Sequence, residues 1–314
     1  MTERIFELTG ADPAQLYGPS NTFLKQIGTY FPKLKIVARG HKIAAMTRGA
    51  AKFEHSAYAS WHVADLIDMT AVRSALAEAQ PDAVIHLAAI SFVGHADVQE
   101  LYTSNVVGTR NLLEALSERG LAGSAIIVSS ANVYGNRTAG PLHEGLQVDP
   151  RSDYALSKVA CEHLAAMYSD RVPSVIVRPF NYTGVGQSDQ FIIPKIVNHT
   201  QSRAAEIELG NLEVARDFND VRFFAEAVAR LLETPKANGQ TVNICSGRAV
   251  MLTELLDLVA KLSGHKMEVR TNPSFVRAQE VGRLWGDDRL LQKLVGPISG
   301  PSLSETLDWM LATE

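Results

Sequence analysis

Short apolar runs separated by amphipathic stretches dominate the chain as far as about residue 180. Val84-Ile85-His86-Leu87, Ala125-Ile126-Ile127-Val128 and Ser174-Val175-Ile176-Val177 leave no polar face for water, which is the mark of strands buried on both sides in a parallel sheet. Helical periodicity fills the gaps near 69–79, 98–118 and 153–169. Parallel neighbours need a crossover, and helices supply it, so the pattern predicts an α/β fold built on a doubly wound parallel sheet. With 314 residues, 46% of them apolar, the chain can bury such a core. Beyond residue 180 the pattern loosens into loops rich in Gly, Pro and Asn, a short strand at Thr241-Val242-Asn243-Ile244, and helices near 221–233, 252–263 and 302–311. The expected division is a sheet domain over 1–180 and a smaller lobe over 181–314, interleaved with the first.

Charge narrows the partners. A net charge of −4 without a long basic run offers nothing to nucleic acid or an anionic membrane, so a small molecule is the expected ligand. No stretch approaches the roughly 20 apolar residues of a membrane helix, and Met1-Thr2-Glu3-Arg4 opens with mixed charge unlike a signal peptide. A cytoplasmic location is expected. Cys161 and Cys245 are too few for a disulfide framework and lack metal-ligand spacing, so they are expected to be buried thiols with no metal. His86 is expected to be a packed strand residue.

Chemistry enters at Tyr154-Ala155-Leu156-Ser157-Lys158. A tyrosine and a lysine four apart share one helical face, so the ammonium can sit under the phenol and favour the phenolate over a phenol of ordinary pKa about 10. Ser130 leaves the apolar run 125–128 at a strand end, where it can hydrogen-bond a substrate oxygen. Together the three residues suit hydride-transfer chemistry.

Around them, Val128-Ser129-Ser130-Ala131-Asn132-Val133-Tyr134-Gly135, Pro141 with Glu144, and Arg178-Pro179-Phe180-Asn181 follow in order. The chain resembles the extended short-chain dehydrogenase/reductase family, also called the NAD-dependent epimerase/dehydratase family, over roughly residues 41–314. The resemblance implies a Rossmann-like dinucleotide-binding domain, a C-terminal substrate-binding lobe, and catalytic roles for Ser130, Tyr154 and Lys158. Helices near 98–118 and 153–169 often pair across dimers in that family, which implies a possible homodimer.

The cofactor side departs from the pattern. Ile5-Phe6-Glu7-Leu8-Thr9-Gly10 resembles the family's first strand and its opening Thr-Gly, yet Ala11-Asp12-Pro13-Ala14-Gln15-Leu16-Tyr17-Gly18 lacks the glycine spacing that lets backbone amides approach a pyrophosphate. The segment 11–40 is atypical throughout. Two readings stand: it still reaches the pyrophosphate through Gly10, Gly18 or helix amides near Ser20 and Asn21, or cofactor affinity is weakened. Residues 33–46 alternate like a hairpin turning at Arg39-Gly40. Downstream, Arg48 stands where NAD enzymes of this kind carry an acidic residue, and an arginine suits a 2′-phosphate, so NADP (as NADPH) is the implied cofactor. Asp65 and Leu66 resemble the pair beside the adenine, Leu87, Ala88 and Ala89 the loop under the nicotinamide-side ribose, and Asn105 the helix asparagine that supports the active-site strand. A buried structural amide accounts for Asn105 equally well.

Substrate class rests on neighbouring positions. Dehydratases of the family carry an acidic pair just after the catalytic Ser/Thr, and here those slots hold Ala131 and Asn132, which favours reduction or epimerisation over dehydration. The implied substrate contacts are Ser91, Asn132, Asn181, Arg216, Arg277 and Glu280, the two arginines clamping a diphosphate. The run from Gly210 to Val221 places the resemblance nearest to enzymes that reduce a GDP-linked 4-keto-6-deoxyhexose. A nucleotide-sugar 4-epimerase and a non-catalytic nucleotide-sugar-binding protein are the alternatives.

Overall fold

The computed structural model describes residues 35–39, 42–48, 60–137, 140–275 and 282–313. Seven strands form the main sheet: β1 Lys35–Arg39, β2 Lys42–Thr47, β3 Ser60–Val63, β4 Ala83–His86, β5 Ala125–Val128, β6 Ser174–Pro179 and, after a long excursion, Thr241–Ile244. Their spatial order runs from the strand 241–244 through β6, β5, β4, β1 and β2 to β3. Helices α1 Met69–Ala79, α2 Val98–Tyr102, α3 Gly108–Arg119 and α4 Asp153–Met167 carry the crossovers. The β4, β5 and β6 pairings are parallel, as the unbroken apolar runs predict. Val84, Ile126 and Val175 are fully buried between the helical layers.

The central strand differs from the expected topology. β1 lies antiparallel to both β2 and β4, so the sheet is mixed at its centre. The cause is local. β1 and β2 form a hairpin in which Arg39 faces Lys42, and strands joined by so short a connection must run antiparallel. The hairpin expected over 33–46 is therefore present, while the parallel opening strand at Ile5–Gly10 lies outside the described residues. β1 thus enters the sheet at the edge where β2, β4 and β5 end.

A long excursion follows β6. It contains β7 Asn181–Thr183, α5 Ile192–Gln201, β8 Glu206–Leu209, β9 Ala215–Arg216, β10 Phe218–Asp220 and α6 Val221–Leu232 before the sheet strand β11 Thr241–Ile244. β12 Val250–Met251, α7 Leu252–Ser263, β13 Glu268–Thr271, β14 Arg283–Leu284, α8 Arg289–Val295 and α9 Leu303–Ala312 follow. α5, α7 and α9 close on an apolar core that includes Ile193, Ile196, Leu255 and Leu307. α6 and α8 return to the main sheet, where Phe224, Val228 and Leu291 pack against Val128 and Val177.

Candidate active site

β5 delivers Ser130. Its four residues are buried, and Ser129 stays in the sheet through its N–H to the Val177 carbonyl at 2.8 Å. The chain then tightens into a 3₁₀ turn, Ala131–Tyr134, which Ser130 caps from extended backbone. Gly135 ends the turn at φ 67°, where a side chain would collide with the Asp149 carbonyl oxygen. Within the turn the backbone N–H and the side-chain amide of Asn132 both donate to the Ser130 hydroxyl oxygen, each at 3.2 Å. A serine hydroxyl has two acceptor positions and one hydrogen. With both acceptor positions taken, Ser130 can act only as a donor. Asn132, expected as a substrate contact, uses its amide nitrogen to hold Ser130.

α4 supplies the other two groups. Ser152 caps it by accepting from the Ala155 N–H at 3.2 Å, and its inward face carries Tyr154, Lys158, Cys161 and Glu162, all buried. The Tyr154 phenol hydrogen-bonds with Ser130, but burial outweighs that contact and pushes it well above the ordinary tyrosine range. Burial thus acts on the Tyr154 phenol against the lowering that the sequence-based reading expects from Lys158. The Lys158 ammonium donates to the Val128 carbonyl at 2.8 Å and stands 6.0 Å from the centre of the Tyr154 ring. Burial lowers the Lys158 pKa, and the Cys161 and Glu162 charges oppose that shift.

Two buried networks hold this geometry. In the first, a π-helical turn at Thr103–Val107 joins α2 to α3, a form that recurs at functional sites. It aims the fully buried Asn105 at the loop after β4, where its amide accepts from the Ile90 N–H at 2.7 Å and donates to the Ile90 carbonyl at 3.1 Å. The same amide donates to Ser157 at 3.0 Å. Asn105, expected as a cofactor contact, is thus buried and pins the loop after β4. In the second, Arg178 binds Glu162 through two hydrogen bonds of 2.9 and 2.7 Å, and Ser129 adds a third at 2.5 Å. The Arg178 guanidinium lies 4.8 Å over the Tyr134 ring, whose hydroxyl donates to Asn243.

A cleft opens at the ends of β2 and β4, the topological switch point at which open α/β sheets bind nucleotides. Its lining includes Arg48, Asp65, Leu66, Ala88 and Ala89, which are expected cofactor contacts, together with Ile90 and Ser104. Arg48 also faces Glu100 at 3.6 Å. Leu87 instead packs against the apolar core beneath the sheet edge. Gly10 lies outside the described residues. This edge receives the start of β1.

On the substrate side, Ser91 follows the pinned loop and is half-buried, while Asn181 is exposed at the start of β7. Arg216 sits on β9 and donates to the Ala215 carbonyl. Next to it, the fully buried Asp217 accepts from the Ser246, Gly247 and Gly286 backbone N–H groups and the Ser246 hydroxyl. Burial raises the Asp217 pKa and those donors oppose it. Arg277 and Glu280 lie outside the described residues. Among the described residues, no group of three His, Cys, Asp or Glu side chains could hold a metal ion, and no helix is long and apolar enough to cross a membrane.

A family model described as GDP-mannose 4,6 dehydratase matches residues 26–305. The chain belongs to that family. Its relatives include a GDP-6-deoxy-D-talose 4-dehydrogenase of Aggregatibacter actinomycetemcomitans, 32% identical over 82% of this chain and 87% of the relative. A GDP-6-deoxy-D-mannose reductase of Pseudomonas aeruginosa is 37% identical over 69% and 74%. Among solved structures, a candidate epimerase from Burkholderia cenocepacia J2315 superposes with a TM-score of 0.82 at 41% identity, covering 95% of both chains. The Pseudomonas aeruginosa protein RMD in complex with NADPH superposes at 0.74, 31% identical over 84% and 91%. The family fold is the Rossmann-like one, and the chain is an oxidoreductase-type enzyme. Ala131 and Asn132 follow Ser130, and Glu162 on α4 is bound to Arg178 and Ser129.

Proposed function

We propose that the protein reduces the C4 carbonyl of a GDP-linked 4-keto-6-deoxyhexose, with NADPH as the reductant. The observation that carries this reading is the geometry of the trio: the Tyr154 phenol beside the Ser130 hydroxyl, whose oxygen Asn132 holds with two N–H donors, and the Lys158 ammonium under the Tyr154 ring. Two hydroxyl donors suit a carbonyl oxygen that gains negative charge as it is reduced. Tyr154 transfers its proton to that oxygen, and Ser130 polarises it. Lys158, held by the Val128 carbonyl, favours the phenolate that Tyr154 becomes.

The cleft fits the implied cofactor. Arg48 at the end of β2 suits a 2′-phosphate, and the small Ala88 and Ala89 allow close approach on the far side. When bound, NADPH supplies the hydride. The GDP sugar is favoured by the two relatives named for GDP-6-deoxyhexose chemistry, and Asn181 and Arg216 are its proposed contacts.

A second reading, a nucleotide-sugar 4-epimerase, is favoured by the Burkholderia neighbour and uses the same trio. Arg48 weighs against it. Tyr154→Phe separates role from binding: kcat should fall by about 10²- to 10⁴-fold while GDP-sugar affinity holds. Equal loss of both would remove Tyr154 from the role of acid.

A further inference from the structure

A carboxylate stands beside the arginine assigned to the 2′-phosphate. Arg48 follows β2, and Glu100 belongs to α2, the helix that follows β4. β1 lies between β2 and β4 in the sheet, so the two side chains come together from strands that are not neighbours. Their charged ends stand 3.6 Å apart. That distance makes an ion pair without a hydrogen bond, and Arg48 can turn its donor fork to another anion at little cost.

Glu100 has less freedom. Its other carboxylate oxygen meets His95 Nε2 at 3.0 Å. An ionised carboxylate only accepts, so that nitrogen carries the hydrogen whether the ring is neutral or charged. His95 is placed in turn by its own N–H, which donates to the Phe92 carbonyl at 3.1 Å. The Glu100 backbone is fixed as well, its N–H donating at 2.8 Å to Asp97, the N-cap of α2. The carboxylate therefore stays in place when Arg48 turns to a ligand. Its side chain is 43% exposed, so water and salt screen its charge in part and keep its influence moderate.

We propose that Glu100 is a specificity-determining residue for the cofactor, one that restrains the preference for a 2′-phosphate that Arg48 creates. The proposal rests on the reading of Arg48 given above. A 2′-phosphate on Arg48 brings a second anion close to the Glu100 charge, and the two repel. NADH carries a neutral hydroxyl at that position and meets no such repulsion. The preference thus depends on two opposed charges, one after β2 and one on the helix after β4.

The test is fluorescence titration of NADPH and of NADH into wild type, Glu100→Gln and Arg48→Ala. Glutamine keeps an acceptor for His95 and removes only the charge. Glu100→Gln should bind NADPH about three- to tenfold more tightly with NADH affinity unchanged. The gain should fade at about 1 M salt, where the Debye length is about 3 Å. An unchanged or lowered NADPH affinity, or an equal change for both cofactors, overturns the assignment. Arg48→Ala isolates the reading beneath it. If that variant keeps its NADPH affinity while Glu100→Gln still gains, the role of Arg48 falls and that of Glu100 stands. If Arg48→Ala loses NADPH affinity and Glu100→Gln gains none, only the role of Glu100 falls.

Discussion

Asn132 grips Ser130 with both of its N–H donors, one from the backbone and one from the side chain, each 3.2 Å from the hydroxyl oxygen. Only the backbone donor is independent of side-chain identity. Asn132→Ala should therefore leave Ser130 free to turn its lone pairs toward the substrate, lowering kcat about tenfold with little change in KM. A rise in KM at constant kcat would instead make Asn132 a substrate contact.

The pH profile follows from Tyr154 and Lys158. The active form needs Tyr154 protonated, and burial holds its pKa above the ordinary tyrosine value, so kcat should be level across neutral pH. Lys158 carries the charge that steadies the phenolate, and burial lowers its pKa below 10.5. The alkaline fall in kcat should therefore begin below that value and follow Lys158. Lys158→Met should erase the limb along with most activity, and a limb that survives the substitution would assign it elsewhere.

Alkaline stability should report Tyr134. Burial, partly offset by Arg178, raises its pKa to about 12, against about 10 in an unfolded chain. Between those values the folded state keeps a proton that the unfolded state has lost, so stability is level below about pH 10 and falls as pH rises toward 12. Denaturant titrations of wild type and Tyr134→Phe across this window should diverge below it and converge as pH rises.

The buried Arg178–Glu162 pair should dominate stability near the site. Removing one partner strands the other charge, and Glu162→Gln is expected to cost about 3–5 kcal/mol. Burial alone would lower the Arg178 pKa, and Glu162 more than restores it. Joint replacement by apolar residues should cost much less than the single change, which chemical denaturation of both variants will show.

Arg48 should set cofactor choice. It lines the cleft and faces Glu100 at 3.6 Å, with both side chains substantially exposed. Arg48→Ala should weaken NADPH by about tenfold or more and leave NADH nearly untouched, because only the 2′-phosphate uses the arginine's donor fork. Parallel fluorescence titrations measure both.

Much of this was legible in the sequence for physical reasons. Strand burial leaves apolar runs, helical period leaves Tyr154 and Lys158 four apart, and alternation over 33–46 marked the hairpin. What the pattern left hidden depends on three-dimensional surroundings. Nothing in the residues around Asn105 announces a π-helical turn, so its hold on Ile90 was invisible. Burial of the Tyr154 phenol, which no local motif records, raises its pKa, and the contact with Ser130 opposes that shift. The family's strand direction at the sheet centre gave way to the hairpin's own geometry.

Hydride labelling tests the central claim most directly. Wild-type protein is mixed with NADPH deuterated at the transferring position and GDP-4-dehydro-6-deoxy-D-mannose, and the product is examined by NMR. The account predicts stoichiometric NADPH consumption with deuterium at C4 of a GDP-6-deoxyhexose, lost in Tyr154→Phe. Interconversion of C4 epimers without NADPH consumption or deuterium at C4 would contradict it.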